Sequence, residues 1–81
     1  MDNTVMTEIT WLGDIRITRV FKNDRLVCIK QHEKEDGDLV LTAEEHRTYH
    51  DNGRIKEVWN SKGEYFRFDD EGKIIGAFNP Y

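Results

Sequence analysis

Three histidines, His32, His46 and His50, and a single cysteine, Cys28, carry the donor atoms a metal site would need, and His46 and His50 stand four apart. On an extended strand that spacing turns both imidazoles to one face but separates them by about 13 Å, too far to share one ion. On a helical turn the same pair would sit one above the other and could chelate. Cys28 lies in the apolar run 26–29, where a small hydrophobe would serve equally well, and no second ligand cluster accompanies it. No metal and no other cofactor is expected. Among the carboxylates, Asp69, Asp70 and Glu71 fall in a polar stretch ending in glycine, the setting of a solvated turn rather than of a cleft acid or base. Glu57 shares the parity of Ile55 and Trp59 and is expected to face the packed side of its strand, where a carboxylate needs a partner. Arg19 is likewise the one polar residue on its strand's apolar face, so an Arg19–Glu57 ion pair is expected, with a structural role. Ser61 has no nucleophile motif around it, and Gly13, Gly53, Gly63 and Gly72 are turn glycines rather than a phosphate cradle. The sequence assigns no catalytic residue, and the chain reads as a non-enzyme.

The elements that position these side chains are strands. Val5, Ile9 and Trp11 share one parity of a first strand that ends at Gly13 and Asp14. Residues 15–22 follow with Ile15, Ile17 and Phe21 alternating against Arg16, Thr18 and Val20, the pattern of a half-buried antiparallel strand. Asn23 and Asp24 form the next two-residue turn. Residues 25–31 are nearly continuously apolar around Val27, Cys28 and Ile29, which predicts a central strand covered on both sides. Residues 32–38 have almost nothing to bury and read as a loop. Thr42 and Glu45 match a Thr-x-x-Glu capping box, but no apolar helical stripe follows, so a bend is expected there, or at most one helical turn.

From His46 onward an aromatic residue recurs four positions before a glycine: residues 49–55 (YHDNGRI), 59–65 (WNSKGEY) and 68–74 (FDDEGKI). Polar turns closed by glycine every nine or ten residues predict consecutive β-hairpins, with strands near 46–50, 54–60, 64–69 and 73–78. Pro80 is placed to end the last of them. Ile55, Trp59, Phe66, Phe68, Ile74 and Phe78 are expected to line one inner face, with Arg54, Lys56, Tyr65, Arg67 and Lys73 on the other. The fold class that follows is all-β: a single domain of 81 residues built as one antiparallel meander of seven or eight strands, curled into an open barrel or half-barrel.

Residues 66–74 (FRFDDEGKI) resemble the YD-repeat signature of RHS-type proteins, in which alternating aromatics and an aspartate precede a turn closed by glycine, a basic residue and an aliphatic one. Residues 47–55 (RTYHDNGRI) are a second copy, with Arg47 in place of the first aromatic and His50 in place of the aspartate. Residues 21–26 (FKNDRL) are a shortened echo without the glycine. The resemblance covers about thirty residues and implies antiparallel β-hairpins. In that family such repeats build large β-shells or binding modules of toxins and adhesins.

The net charge of −4 is concentrated: Glu33, Glu35, Asp36, Asp38, Glu44 and Glu45 stand against Lys34 alone, so residues 33–45 hold −5 and the remainder +1. Such a segment can steer a partner with a basic surface. With one cysteine, no apolar run long enough for a membrane helix and no signal-like start, the expected compartment is the cytoplasm, without membrane insertion. The function expected is that of a small protein-binding module, such as an inhibitor, an antitoxin or a phage-encoded anti-defence protein, docking through the acidic segment and the sheet edges. Nucleic-acid binding by a basic and aromatic face of Arg54, Lys56, Tyr65 and Arg67 is the alternative, and pairing of exposed edges into a homo-oligomer is a third possibility.

Overall fold

The computed structural model describes residues 4–78, so the expectation for Pro80 lies outside the described residues. The chain is all-β, and its seven strands are β1 (Val5–Leu12), β2 (Ile15–Lys22), β3 (Arg25–Glu35), β4 (Asp38–Tyr49), β5 (Ile55–Asn60), β6 (Tyr65–Phe68) and β7 (Ile74–Phe78). They form one antiparallel meander in sequence order, in which β1 and β7 each have a single neighbour, so the sheet is open rather than closed. The chain divides into two compact units, residues 1–44 and 45–81.

In the first unit, two-residue turns join the strands. Asn23 and Asp24 both have positive φ (52° and 65°), as do Asp36 and Gly37 (50° and 87°), which is the type I′ geometry whose twist matches that of the flanking strands. The second of these turns overturns the expected loop at 32–38. β3 runs on to Glu35 and β4 begins at Asp38, because an Asp-Gly pair reverses the chain in two residues and lets the ladder continue on both sides. The bend or helical turn expected near 42–45 is also absent. The Thr42 hydroxyl donates to the Gln31 carbonyl at 3.2 Å instead of capping a helix, and β4 is continuous.

Register then sets the faces. Met6, Glu8, Thr10 and Leu12 lie opposite Phe21, Arg19, Ile17 and Ile15, whereas Val5, Ile9 and Trp11 lie opposite Lys22, Thr18 and Arg16. The apolar parity of β1 therefore falls on the polar face of β2, and apolar side chains emerge on both sides. No described side chain is fully buried. The double cover expected over β3 is not present: Leu26, Val27, Cys28 and Ile29 are each only half-buried.

The second unit replaces a core with repeated turn chemistry. At all three turns the first residue donates its N–H to the carbonyl four positions on (His50 to Arg54, Asn60 to Glu64, Asp69 to Lys73), and the glycine N–H returns to the first residue's carbonyl. This is a type I turn completed by a glycine bulge, and Gly53, Gly63 and Gly72 hold φ of 90°, 84° and 92°. Gly72→Ala is expected to cost about 1–2 kcal/mol through backbone strain, since an added Cβ would meet nothing closer than an Arg54 guanidinium nitrogen at 3.6 Å. Denaturant unfolding reads this directly; an unchanged midpoint would contradict it.

The expected inner face of six apolar residues does not form. Trp59 lies opposite Tyr65 and Val58 opposite Phe66, because the turn at 60–64 fixes that pairing. Bulges at Thr48/Tyr49 and Arg67/Phe68 shift the outer strands again.

Candidate functional site

In the first unit, the type I′ turn places Glu35, Asp36 and Asp38 at the tip of the β3–β4 hairpin, with Glu33 just behind them, opposite Ile15. The following strand residues Leu39, Val40 and Leu41 are 39%, 39% and 46% exposed. Acidic charge and uncovered aliphatic surface thus occupy one end of one hairpin. Lys34 is drawn away from the acids: its Nζ sits 5.2 Å from the centre of the Trp11 ring, a cation–π contact. Glu45 is not part of the tip. Its Oε2 accepts from Nε of Arg47 at 2.7 Å, so it serves as a structural partner within the second unit.

Several of the titratable residues considered above have structural uses. Arg19 pairs with Glu8 across β1 and β2 at 3.4 Å, not with Glu57, because the two residues stand directly opposite in the register. His32 approaches an Arg16 guanidinium nitrogen at 3.5 Å. His46 stacks on Trp59 with ring centres 5.4 Å apart, while His50 donates from Nε2 to the Phe68 carbonyl at 2.9 Å. Partial burial raises the Cys28 thiol above its ordinary value, opposed by Lys30 and reinforced by Glu44, which keeps it protonated and a poor nucleophile at neutral pH. Ser61 lies in the second turn. The Asp69 carboxylate accepts from the Glu71 and Lys73 N–H groups, both at 2.9 Å, and the Asn60 side chain does the same for Lys62 and Glu64.

The four residues of the alternative nucleic-acid face are divided. Tyr65 and Arg67 stand opposite Trp59 and Glu57, whereas Lys56 shares the other parity with Val58. The Arg54 guanidinium donates to the Glu71 carbonyl. Tyr65 and Arg67 belong instead to two registered rows crossing four strands. One row is aromatic: His46, Trp59, Tyr65 and Phe78. The other is Thr48, Glu57, Arg67 and Gly76. The sequence places all eight residues, but joining them into rows requires the register.

Glu57 sits where the rows meet, accepting from the Thr48 hydroxyl at 3.1 Å and from the Tyr65 hydroxyl at 2.5 Å. The Tyr65 bond, chiefly, holds the Glu57 carboxyl below its ordinary range, and the same bond raises the Tyr65 hydroxyl. A depressed carboxyl contributes stability above its unfolded pKa of about 4.3, lost as pH falls through the folded value. A raised phenol contributes stability below its unfolded pKa of about 10, lost as pH rises past it. Tyr65→Phe is therefore expected to weaken both limbs of the stability profile, and most visibly to abolish the tyrosine-linked loss in alkali. Thermal midpoints across pH for parent and variant measure this; superimposable limbs would refute the coupling.

Comparison with known proteins finds no matching family model, no similar curated protein and no similar solved structure.

Proposed function

We propose that this chain is a non-enzymatic protein-binding module, of the kind used by small inhibitors, antitoxins or phage-encoded anti-defence proteins, and that it docks on a partner with a basic surface. The observation that supports this reading is the β3–β4 hairpin end, where Glu33, Glu35, Asp36 and Asp38 adjoin the exposed Leu39, Val40 and Leu41. Negative charge steers encounter and selects a basic partner, while adjoining aliphatic surface supplies the desolvation that holds the complex. The open edges of β1 and β7 offer a second mode, in which a partner strand extends the sheet. Glu44 is a flanking charge of the same segment, whereas Glu45 is paired with Arg47. The imidazoles of His32, His46 and His50, the Tyr65 hydroxyl and the carboxylates of Glu57 and Asp69 have structural partners, which supports a role without catalysis.

The experiment is capture of partners by the tagged chain from a lysate of its own host, with and without nuclease and at low and moderate salt. A discrete protein that survives nuclease and weakens with salt is the expected result. Loss of all captured material after nuclease would overturn the reading.

A further inference from the structure

The register of the first unit assembles a second surface, opposite in sign to the hairpin tip. On one face of β1, β2 and β3 stand Val5, Thr7, Ile9 and Trp11, then Lys22, Val20, Thr18 and Arg16, then Arg25, Cys28, Lys30 and His32. Lys34 joins them by its contact with Trp11. Five cations and a histidine thus share a face on which these three strands place no acid; Glu44 of β4 is the acid whose charge reaches it, at Cys28. The opposite face of the same strands carries Glu8 against Arg19, and Glu33. In a chain of net charge −4, that segregation is a property of the fold and not of the composition.

The surface also has stacking capacity. Trp11 is 46% exposed, Ile9 and Val5 more so. Nε of Arg16 and the Thr18 hydroxyl, in the middle of the face, are buried from solvent, so the polar contacts fall to the outer ends of the cationic side chains. From this charge complementarity we propose that this face binds single-stranded nucleic acid, with Arg16, Lys22, Lys30 and Lys34 on backbone phosphates and Trp11 stacked on a base. Cations that track a backbone, with an aromatic ring for a base of any identity, bind without sequence preference. The inference is independent of the acidic hairpin reading and concerns a different surface.

The test uses the full chain with fluorescein-labelled oligothymidylate and oligouridylate 20-mers, read by anisotropy between 20 and 200 mM salt. Four phosphate contacts predict a slope of roughly −3 in log affinity against log salt. Lys22→Glu with Lys34→Glu, both exposed positions, is expected to weaken binding at least tenfold with an unchanged far-ultraviolet spectrum. Trp11→Phe should remove the fluorescence quenching on binding and Trp59→Phe should retain it. Absence of binding at 20 mM salt would overturn the proposal, as would binding unaffected by the lysine reversals or abolished by Tyr65→Ala with Arg67→Ala. Binding to anionic phospholipid vesicles without binding to either oligonucleotide would overturn it in favour of a lipid surface.

Discussion

Reversal of Glu33, Glu35, Asp36 and Asp38 to lysine is expected to weaken capture of a protein partner by about 100-fold or more while leaving the fold intact. The first part follows from the number of charges. A single rim charge alters mainly the association rate, but four reversals on one hairpin end turn attraction of a basic surface into repulsion, and fields of that kind change on-rates by about 10–1000-fold. The second part follows from their setting: Glu35, Asp36 and Asp38 are exposed, and surface substitutions away from caps and networks usually cost within about 0.5 kcal/mol. The conformation of the Asp36–Gly37 turn must be respected, because Asp36 holds φ at 50°; Asp36→Asn is the companion that removes charge while keeping a residue tolerant of that geometry. Surface plasmon resonance against the captured partner would measure the loss. An affinity unchanged within threefold would sink the assignment of the tip, and binding lost only on Leu39→Lys with Leu41→Lys would locate the contact in the aliphatic segment instead.

The combined substitution His50→Ala, Asn52→Ala and Arg54→Ala is expected to lower stability by about 2–3 kcal/mol, at roughly 1 kcal/mol for each net hydrogen bond lost. These three side chains of the first glycine turn all reach the third. His50 donates to Phe68, Asn52 donates from Nδ2 to Asp70 at 2.7 Å, and Arg54 donates to Glu71, each to a main-chain carbonyl. The bonds tie two turns that are not adjacent in sequence and that line a shallow depression with Gly53, Ile55, Phe68 and Gly72. In a protein with no fully buried side chain among its described residues, cross-strand pairs and turn contacts carry an unusual share of the stability. For a chain of this size, that loss corresponds to a fall of roughly 10–20 °C in the thermal midpoint. Calorimetry on the triple variant and each single variant provides the measurement, and a midpoint within 2 °C of the parent would show that the latch contributes nothing.

The latch was half visible in the sequence. The repeat at 47–55 departs from its neighbour at one decisive position, His50, where the other turns have Asn60 and Asp69. Those two side chains cap their own turns, as the Asx preference predicts. A histidine at that position leaves the local cap to Asn52, whose Oδ1 accepts from the Arg54 N–H, and extends to the next turn but one. The departure is a sequence fact, whereas its destination depends on which turns the meander brings side by side. Residues 32–38 form strand and turn rather than a loop for the opposite reason. The Asp-Gly pair there is among the strongest local hairpin signals, but its density of charge points to a solvated loop. The charges are tolerated in strands because no layer covers either face of the hairpin tip.

By itself the sequence determined the all-β class, the antiparallel meander and the positions of the turns at Gly53, Gly63 and Gly72, since turn chemistry and strand alternation are local properties of φ, ψ and side-chain type. Only the tertiary structure decided which residues share a face. One bulge between Val20 and Phe21 is enough to show why. With unbroken pairing from Lys22 and Arg25, Ile17 would oppose Lys30 and Ile15 would oppose His32, scattering the cations over both sides. The bulge shifts β3 by one residue, so Arg16 meets His32 and Thr18 meets Lys30. Because side chains alternate with a period of two, a one-residue shift exchanges the faces of everything beyond it, and no composition or periodicity within either strand encodes that choice.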